Sequence, residues 1–260
     1  MLPTVLGTEL LKLRRSKVTW LTWLAFSIMP VVGGLFMWIL KEPDRARALG
    51  LLGAKAQVAG GSADWPSFVA ALAQMTGVGG MMLTAVITTY VFGREYADGT
   101  AKNMLALPVR RESFVIAKLL VVALWFAVLV AAIFVEGAAI GLALDLPGLS
   151  SGLLGRAARD VGLCAAMCCL LIPPVAWIAT LGRGYLPPLG FAIVTLVLGN
   201  VFAATGWGKW FPYSIVPLYT GIAGPRVSVL EPGSYVVVLL LFAAGVAATV
   251  WQVRSADDTQ

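Results

Sequence analysis

The chain has 260 residues, 59% of them hydrophobic and only 12% charged, with a mean hydropathy of +0.87. A soluble domain carries about twice that charged fraction, so a soluble fold is excluded and an integral membrane protein remains. The net charge of +6 then belongs beside membrane spans and anionic lipid heads and calls for no nucleic acid.

Residues 2–17 place Leu2, Val5, Leu6, Leu10 and Leu13 on one helical face. They gather Lys12, Arg14, Arg15 and Lys17 at its end, as an interfacial amphipathic helix does. A cleaved signal peptide is the rival reading. It fails because the apolar run that follows is too long and lacks a small-x-small cleavage site. That run, 18–40, carries no charge and is long enough to cross a hydrocarbon core of roughly 30 Å. Trp20 and Trp23 mark one interface and Trp38 the other, and Pro30 and Gly33-Gly34 are places for a bend.

Residues 41–66 leave the membrane, with a short helix from Pro43-Asp44 through about Gln57 and with Gly60-Gly61 and Trp65-Pro66 as breakers. Span 2 is 68–92. Its Gln74, Thr76, Thr84, Thr88 and Thr89 point to a partly protein-facing or wet helix. Next comes the longest polar interruption, GREYADGTAKNMLALPVRR, at 93–111. Ala101, Met104 and Leu105 follow the spacing of one helix face, Asp98-Gly99-Thr100 supplies a turn before them, and Pro108 stops the element. The expected result is a short amphipathic helix that presents an apolar knob among Arg94, Lys102, Arg110 and Arg111.

Ser113 is the expected cap of span 3, at 114–135. Apolar sequence continues past Glu136 to Leu144, so that span either runs long or breaks near Gly137. Asp145-Leu146-Pro147-Gly148 is a turn. Span 4, 161–181, contains Pro173-Pro174, which predicts a kink. Span 5 is 186–204 and span 6 is 234–251. Between them, 205–233 holds Trp207, Trp210, Phe211, Tyr213 and Tyr219 among four prolines. That segment is too apolar for a plain loop and too broken to span, so it reads as interfacial or re-entrant helices. The fold class is therefore an all-α membrane protein with six spanning helices.

Six spans put both termini on one side. If that side is cytoplasmic, eleven of the nineteen Lys and Arg lie inside and eight outside. The cluster before span 1 weighs most, and it sets both termini and the 93–111 stretch inside the cell.

Three segments together resemble the ABC transporter permeases of the compact six-span exporter class. They are ELLKLRRSKVTWL, DWPSF before span 2, and VFGREYADGTAKNMLALPVRRESFVIAKLL across spans 2 and 3. The likeness is to bacterial antibiotic-resistance and lantibiotic-immunity permeases. It implies one membrane domain, 1–260, in a multi-pass protein of the bacterial plasma membrane. It implies a drug, antimicrobial peptide or lipid-like substrate. It also implies pairing with a second permease, identical or not, and docking of a separate ATPase that binds ATP and Mg. This chain would then be no enzyme and would bind no cofactor itself. The resemblance makes residues 96–108 a coupling helix seated in the ATPase. The contact would draw on Glu95, Tyr96, Thr100, Lys102, Met104, Leu105, Pro108, Arg110 and Arg111. By the same resemblance the N-terminal residues form a connecting helix, and 205–233 the external helices that close the outer gate.

Other constellations weigh less. Gly148-Leu149-Ser150-Ser151-Gly152 matches the G-x-S-x-G elbow of serine hydrolases, but the chain has no His and no strand context there. Cys164, Cys168 and Cys169 lack the partners of a zinc set and read as packing residues. No P-loop pattern occurs; the only Gly-Lys pair, Gly208-Lys209, is followed by Trp210. Glu136 is a lone acid in an apolar run. It is either a pathway or gate residue or an interfacial one. Asn200, in span 5, is more often an interhelical hydrogen-bonder than a ligand contact. Trp207, Trp210, Phe211 and Tyr213 are the remaining gate candidates. Two other classes stay open: an ion-coupled secondary transporter using Glu136, and a non-transporting membrane scaffold. No inverted repeat favours the former.

Overall fold

The computed structural model describes residues 2–50, 62–100, 110–222 and 230–255, and among these it is helical with no strand. In chain order the helices are α1 (Leu2–Arg14), α2 (Lys17–Lys41), α3 (Pro43–Ala48), α4 (Trp65–Ala97) and α5 (Arg111–Ala143). They continue with α6 (Ser151–Leu170), α7 (Ile172–Leu181), α8 (Leu186–Ala203), α9 (Ile215–Thr220) and α10 (Pro232–Ser255). Six of these stretches are long and apolar enough to cross a membrane: α2, α4, α5, α6 with α7, α8 and α10. The protein is a six-span, all-α membrane protein.

α4 and α5 each have 33 residues. At 1.5 Å per residue they are about 50 Å long, well beyond a hydrocarbon core of roughly 30 Å. Their ends therefore project past it. Span 3 accordingly runs through Glu136 and Gly137 without a break. Gly137 and Gly141 are placed where a side chain would collide with Leu72 and with the Trp65 ring of α4. α5 begins at Arg111 with Arg110 as its cap residue, so Ser113 lies inside the first turn and is not the cap. α2 passes through Pro30 unbroken, and Gly33 and Gly34 admit Met75 of α4 and Ile140 of α5.

DWPSF builds the start of α4, so Trp65-Pro66 open this helix and do not break the chain ahead of it, a proline being tolerated in a first turn that needs no amide donor. The Asp64 carboxylate accepts from the Ser67 amide at 2.8 Å and from the Ser62 hydroxyl at 2.6 Å. These bonds, the Ser62 one foremost, hold its pKa below the usual carboxylate value. Trp65 is fully buried and its amide donates to the Pro147 carbonyl at 3.0 Å, which ties α4 to the α5–α6 turn. Ser150, the central serine of the G-x-S-x-G match, caps α6 by accepting from the Leu153 amide.

Pro173-Pro174 divide span 4: α6 ends at Leu170 and α7 starts at Ile172. α10 covers the break. Gly245 packs on the two prolines, and the Thr249 hydroxyl donates to its own helix at Gly245 and lies 3.4 Å from the Pro173 carbonyl. Cys168 is buried with its thiol toward the Gly77 carbonyl of α4, and Cys164 is buried beside it.

One end of the bundle carries α1, the C-terminus of α4, the N-terminus of α5 and the C-terminus of α10. The other carries the start of α4, the end of α5 and residues 205–220.

Candidate functional site

α1 does not simply float at the bilayer surface. Val5, Glu9 and Leu13, each one turn apart, are its buried residues. Val5 packs with Phe114 and Ala117 of α5. Between Val5 and Leu13, Glu9 faces a cluster of charges contributed by three helices. Lys12 Nζ lies 2.5 Å from Glu9 Oε1 and 3.5 Å from Glu95 Oε1. Arg94 Nη2 lies 3.4 Å from Glu95 Oε1 and 3.8 Å from Glu9 Oε2. Lys118 Nζ donates to the other Glu95 oxygen and, at 2.5 Å, to the Val91 carbonyl. Glu9, Glu95 and Lys118 are each only 3% exposed.

The protein keeps these charges out of water because every one is paired. A buried ion pair gains little net stability, but leaving one member alone is costly, so such a cluster fixes one arrangement of its helices. Its position matters more than its energy. Glu95 stands two residues before the end of α4, and Lys118 is two turns into α5. The cluster thus lies at the two ends, α4 and α5, between which the 2–3 connection runs in sequence.

The neighbouring loop locks onto the same end of α4. A Cβ at Gly93 would crowd the Gly184 carbonyl and the Tyr185 ring at 3.0 Å, the Tyr90 and Tyr185 rings stack, and Arg94 lies over Tyr90. Arg111 donates to the Val253 and Arg254 carbonyls at 3.2 and 3.0 Å, and Arg254 pairs with Glu112. The end of α10 is thereby tied to the start of α5.

These placements sort the residues expected at the coupling stretch. Glu95 is buried in the cluster, Tyr96 is half-buried, Thr100 and Arg110 are exposed, and Arg111 faces α10. Lys102, Met104, Leu105 and Pro108 lie outside the described residues. Sequence reasoning missed Glu9 and Lys118. The signal was available: each is a lone charge on an otherwise apolar stripe, of opposite sign to the other.

At the far end, the Ser27 hydroxyl of α2 donates to Glu136 Oε1 at 2.9 Å, and Glu136 is half-buried. Asn200 donates to the Leu196 carbonyl of its own helix at 2.9 Å, an intrahelical bond rather than the expected interhelical one.

The aromatic segment folds back into the bundle. Ser214 donates to the Gly199 carbonyl, Tyr219 donates to Asp160 at 3.0 Å, and Gln74 of α4 reaches the Thr220 carbonyl at 3.4 Å. Burial and the Asp160 bond push the Tyr219 pKa up to about 12. The four gate candidates divide. Trp207 and Trp210 are exposed, at 72% and 52%, Phe211 is half-buried against Phe202, and Tyr213 is buried at 7%. The Tyr213 hydroxyl has no hydrogen-bond partner among the described residues, and burial raises its pKa. It borders a cavity of about 20 Å³ between α4, α7 and α8, room for one water molecule.

The described residues thus form a six-span helical membrane domain whose N-terminal helix is bonded to the end of α4, where the 2–3 connection begins. The chain belongs to the ABC-2 family of transporter proteins, whose family model matches residues 5–199. It is accordingly an ABC transporter permease. Over 179 residues it is 30% identical to the bacitracin transport permease protein BCRB of Bacillus licheniformis, an alignment covering 68% of this chain and 85% of that protein. The family match ends before the aromatic segment and α10.

Proposed function

We propose that this permease is the membrane subunit of an ATP-driven exporter of peptide antibiotics, coupled to a separate ATPase through residues 96–108. ATP and Mg would act on that partner, and a second permease would complete the pathway. Both termini and the coupling stretch would face the cytoplasm. The substrate class is suggested by the bacitracin permease relative. The observation that carries the reading is the charge cluster of buried Glu9, Glu95 and Lys118 with the partly exposed Lys12 and Arg94. It ties α1 to α4 and α5 beside Tyr96, where the proposed coupling stretch begins, so a push delivered there would move three helices together.

The test is Met104→Asp combined with Leu105→Asp. Burying the two apolar side chains in an ATPase groove contributes roughly 3–6 kcal/mol before ordering costs. The double variant should insert normally yet lose the ATPase from the purified complex. Arg110→Ala should do much less, because rim charges steer more than they hold. A double variant that keeps a full complement of coupled ATPase removes the coupling assignment. For orientation, cysteines placed at positions 55 and 102 should label from opposite sides of the membrane.

A further inference from the structure

α1 has a second stripe. Gly7, Leu10, Leu11 and Arg14 follow i, i+3, i+4, i+7 spacing, on a different face from Val5 and Glu9. Together with Leu13, Thr19 of α2, and Leu124, Trp125 and Val128 of α5, they line an open groove of about 470 Å³, within the size range of ligand sites. The groove lies where α1, the start of α2 and the middle of α5 meet, beside the α1–α2 elbow. That elbow is pinned: Ser16 caps α2, and the Thr19 hydroxyl donates to the Leu13 carbonyl. One wall is also fixed, because Trp125 Nε1 donates to the Thr22 hydroxyl at 3.1 Å. Apart from the adjoining residues and backbone of α1 itself, no described atom lies within 4 Å of where a Gly7 side chain would start, so the groove is open along α1.

Apart from Arg14 and the Thr19 hydroxyl, which is spent on the Leu13 carbonyl, the lining is apolar. Leu10, Leu11, Leu124 and Val128 are exposed, and Arg14 is the only charged group among the lining residues. Val128 lies one helical turn beyond Leu124 along the spanning helix, so the groove runs on into the span. A cation with an apolar channel beside it, opening toward lipid, matches a phosphate head with an acyl chain attached. A guanidinium is the side chain best shaped for that phosphate.

We propose that this groove is a binding site for a single anionic phospholipid, its acyl chain along Leu10, Leu11, Leu124 and Val128 and its phosphate on Arg14. The lipid would brace the face of α1 opposite the Glu9 cluster. This site is independent of the ATPase-coupling reading, and its test needs no ATPase.

The experiment places the full chain in nanodiscs of phosphatidylcholine containing a small fraction of diazirine-bearing phosphatidylglycerol, and maps the crosslinked peptides. Saturable crosslinks concentrated at residues 7–14 and 124–128 are expected, with far weaker labelling by the matching phosphatidylcholine probe. Arg14→Gln should lower the labelling about fivefold, the worth of one basic residue at an anionic surface. Arg15→Gln should leave it unchanged, whereas diffuse attraction would lose equally from both. Gly7→Leu, which fills open space on a helix, should displace the probe while the protein stays folded by gel filtration. Uniform labelling of α2, α8 and α10, equal labelling by the two probes, or equal loss from Arg14→Gln and Arg15→Gln would each overturn the proposal and leave annular lipid only. Unchanged labelling in both Arg14→Gln and Gly7→Leu would do the same.

Discussion

Lys118 Nζ donates at once to the Glu95 carboxylate and to the Val91 carbonyl, one turn below Glu95 on the same helix. The pair bolts the end of α4 to the start of α5 at a depth from which water is excluded. Glu9 and Lys12 extend the bolt to α1.

Removing one partner of this pair should be worse than removing both. Glu95→Gln leaves Lys118 buried with a carbonyl, an amide and only the Glu9 charge to offset its own, and should destabilise the fold by about 3 kcal/mol. Lys118→Met should cost less, since Lys12 and Arg94 still neutralise Glu95. The double variant should recover much of the loss. Thermal unfolding of the purified permease in one detergent checks the order, and strict additivity of the two changes would contradict it.

The contact between Gly141 and Trp65 should be equally exacting for a different reason. A Cβ at position 141 would stand 2.6 Å from the Trp65 ring, which is buried and hydrogen-bonded through its backbone to Pro147. Gly141→Ala should therefore cost about 1–3 kcal/mol by overpacking. Gly155→Ala, on an exposed helical position with open space around it, should gain up to about 1 kcal/mol. Melting points of the two variants against wild type decide the matter.

Glu136 is bonded to Ser27, so its effect is separable from assembly. Glu136→Gln keeps an acceptor for the Ser27 hydroxyl and should leave expression and melting temperature within about 0.5 kcal/mol of wild type. If the carboxylate lines a pathway or gate, export of a peptide substrate by intact cells should fall. Export at the wild-type rate would reduce the residue to a packing contact between α2 and α5.

The aromatic segment offers a fourth test. Trp210 is exposed, while Phe211 packs with Phe202 at 4.8 Å between ring centroids and with Tyr213 at 6.0 Å. Replacing Trp210 and Phe211 by Ala together thins the cover over Tyr213. Substrate-free ATPase activity of the assembled transporter should rise, or export per ATP should drop. Wild-type values for both would make the two rings membrane anchors.

The chain's own residue order determined much of this. Spanning helices depend on local sums of hydropathy over about twenty residues, so six of them could be counted before any packing was known. The proline break at 173–174, the cap at Asp64 and the amphipathic start are equally local: each needs only neighbours within a few positions. Tertiary structure alone decided what the lone polar residues do. Lys12 and Glu95 are 83 positions apart, and Ser27 and Glu136 are 109 apart. A charge in an apolar stretch announces that it needs a partner, but hydropathy carries no information about which helix brings one. Hence Glu95, which by position suited a partner protein, turned inward to Lys118, and Arg111 turned to the end of α10. Likewise Gly7, Leu10, Leu11 and Arg14 became a groove wall only once α5 stood behind them.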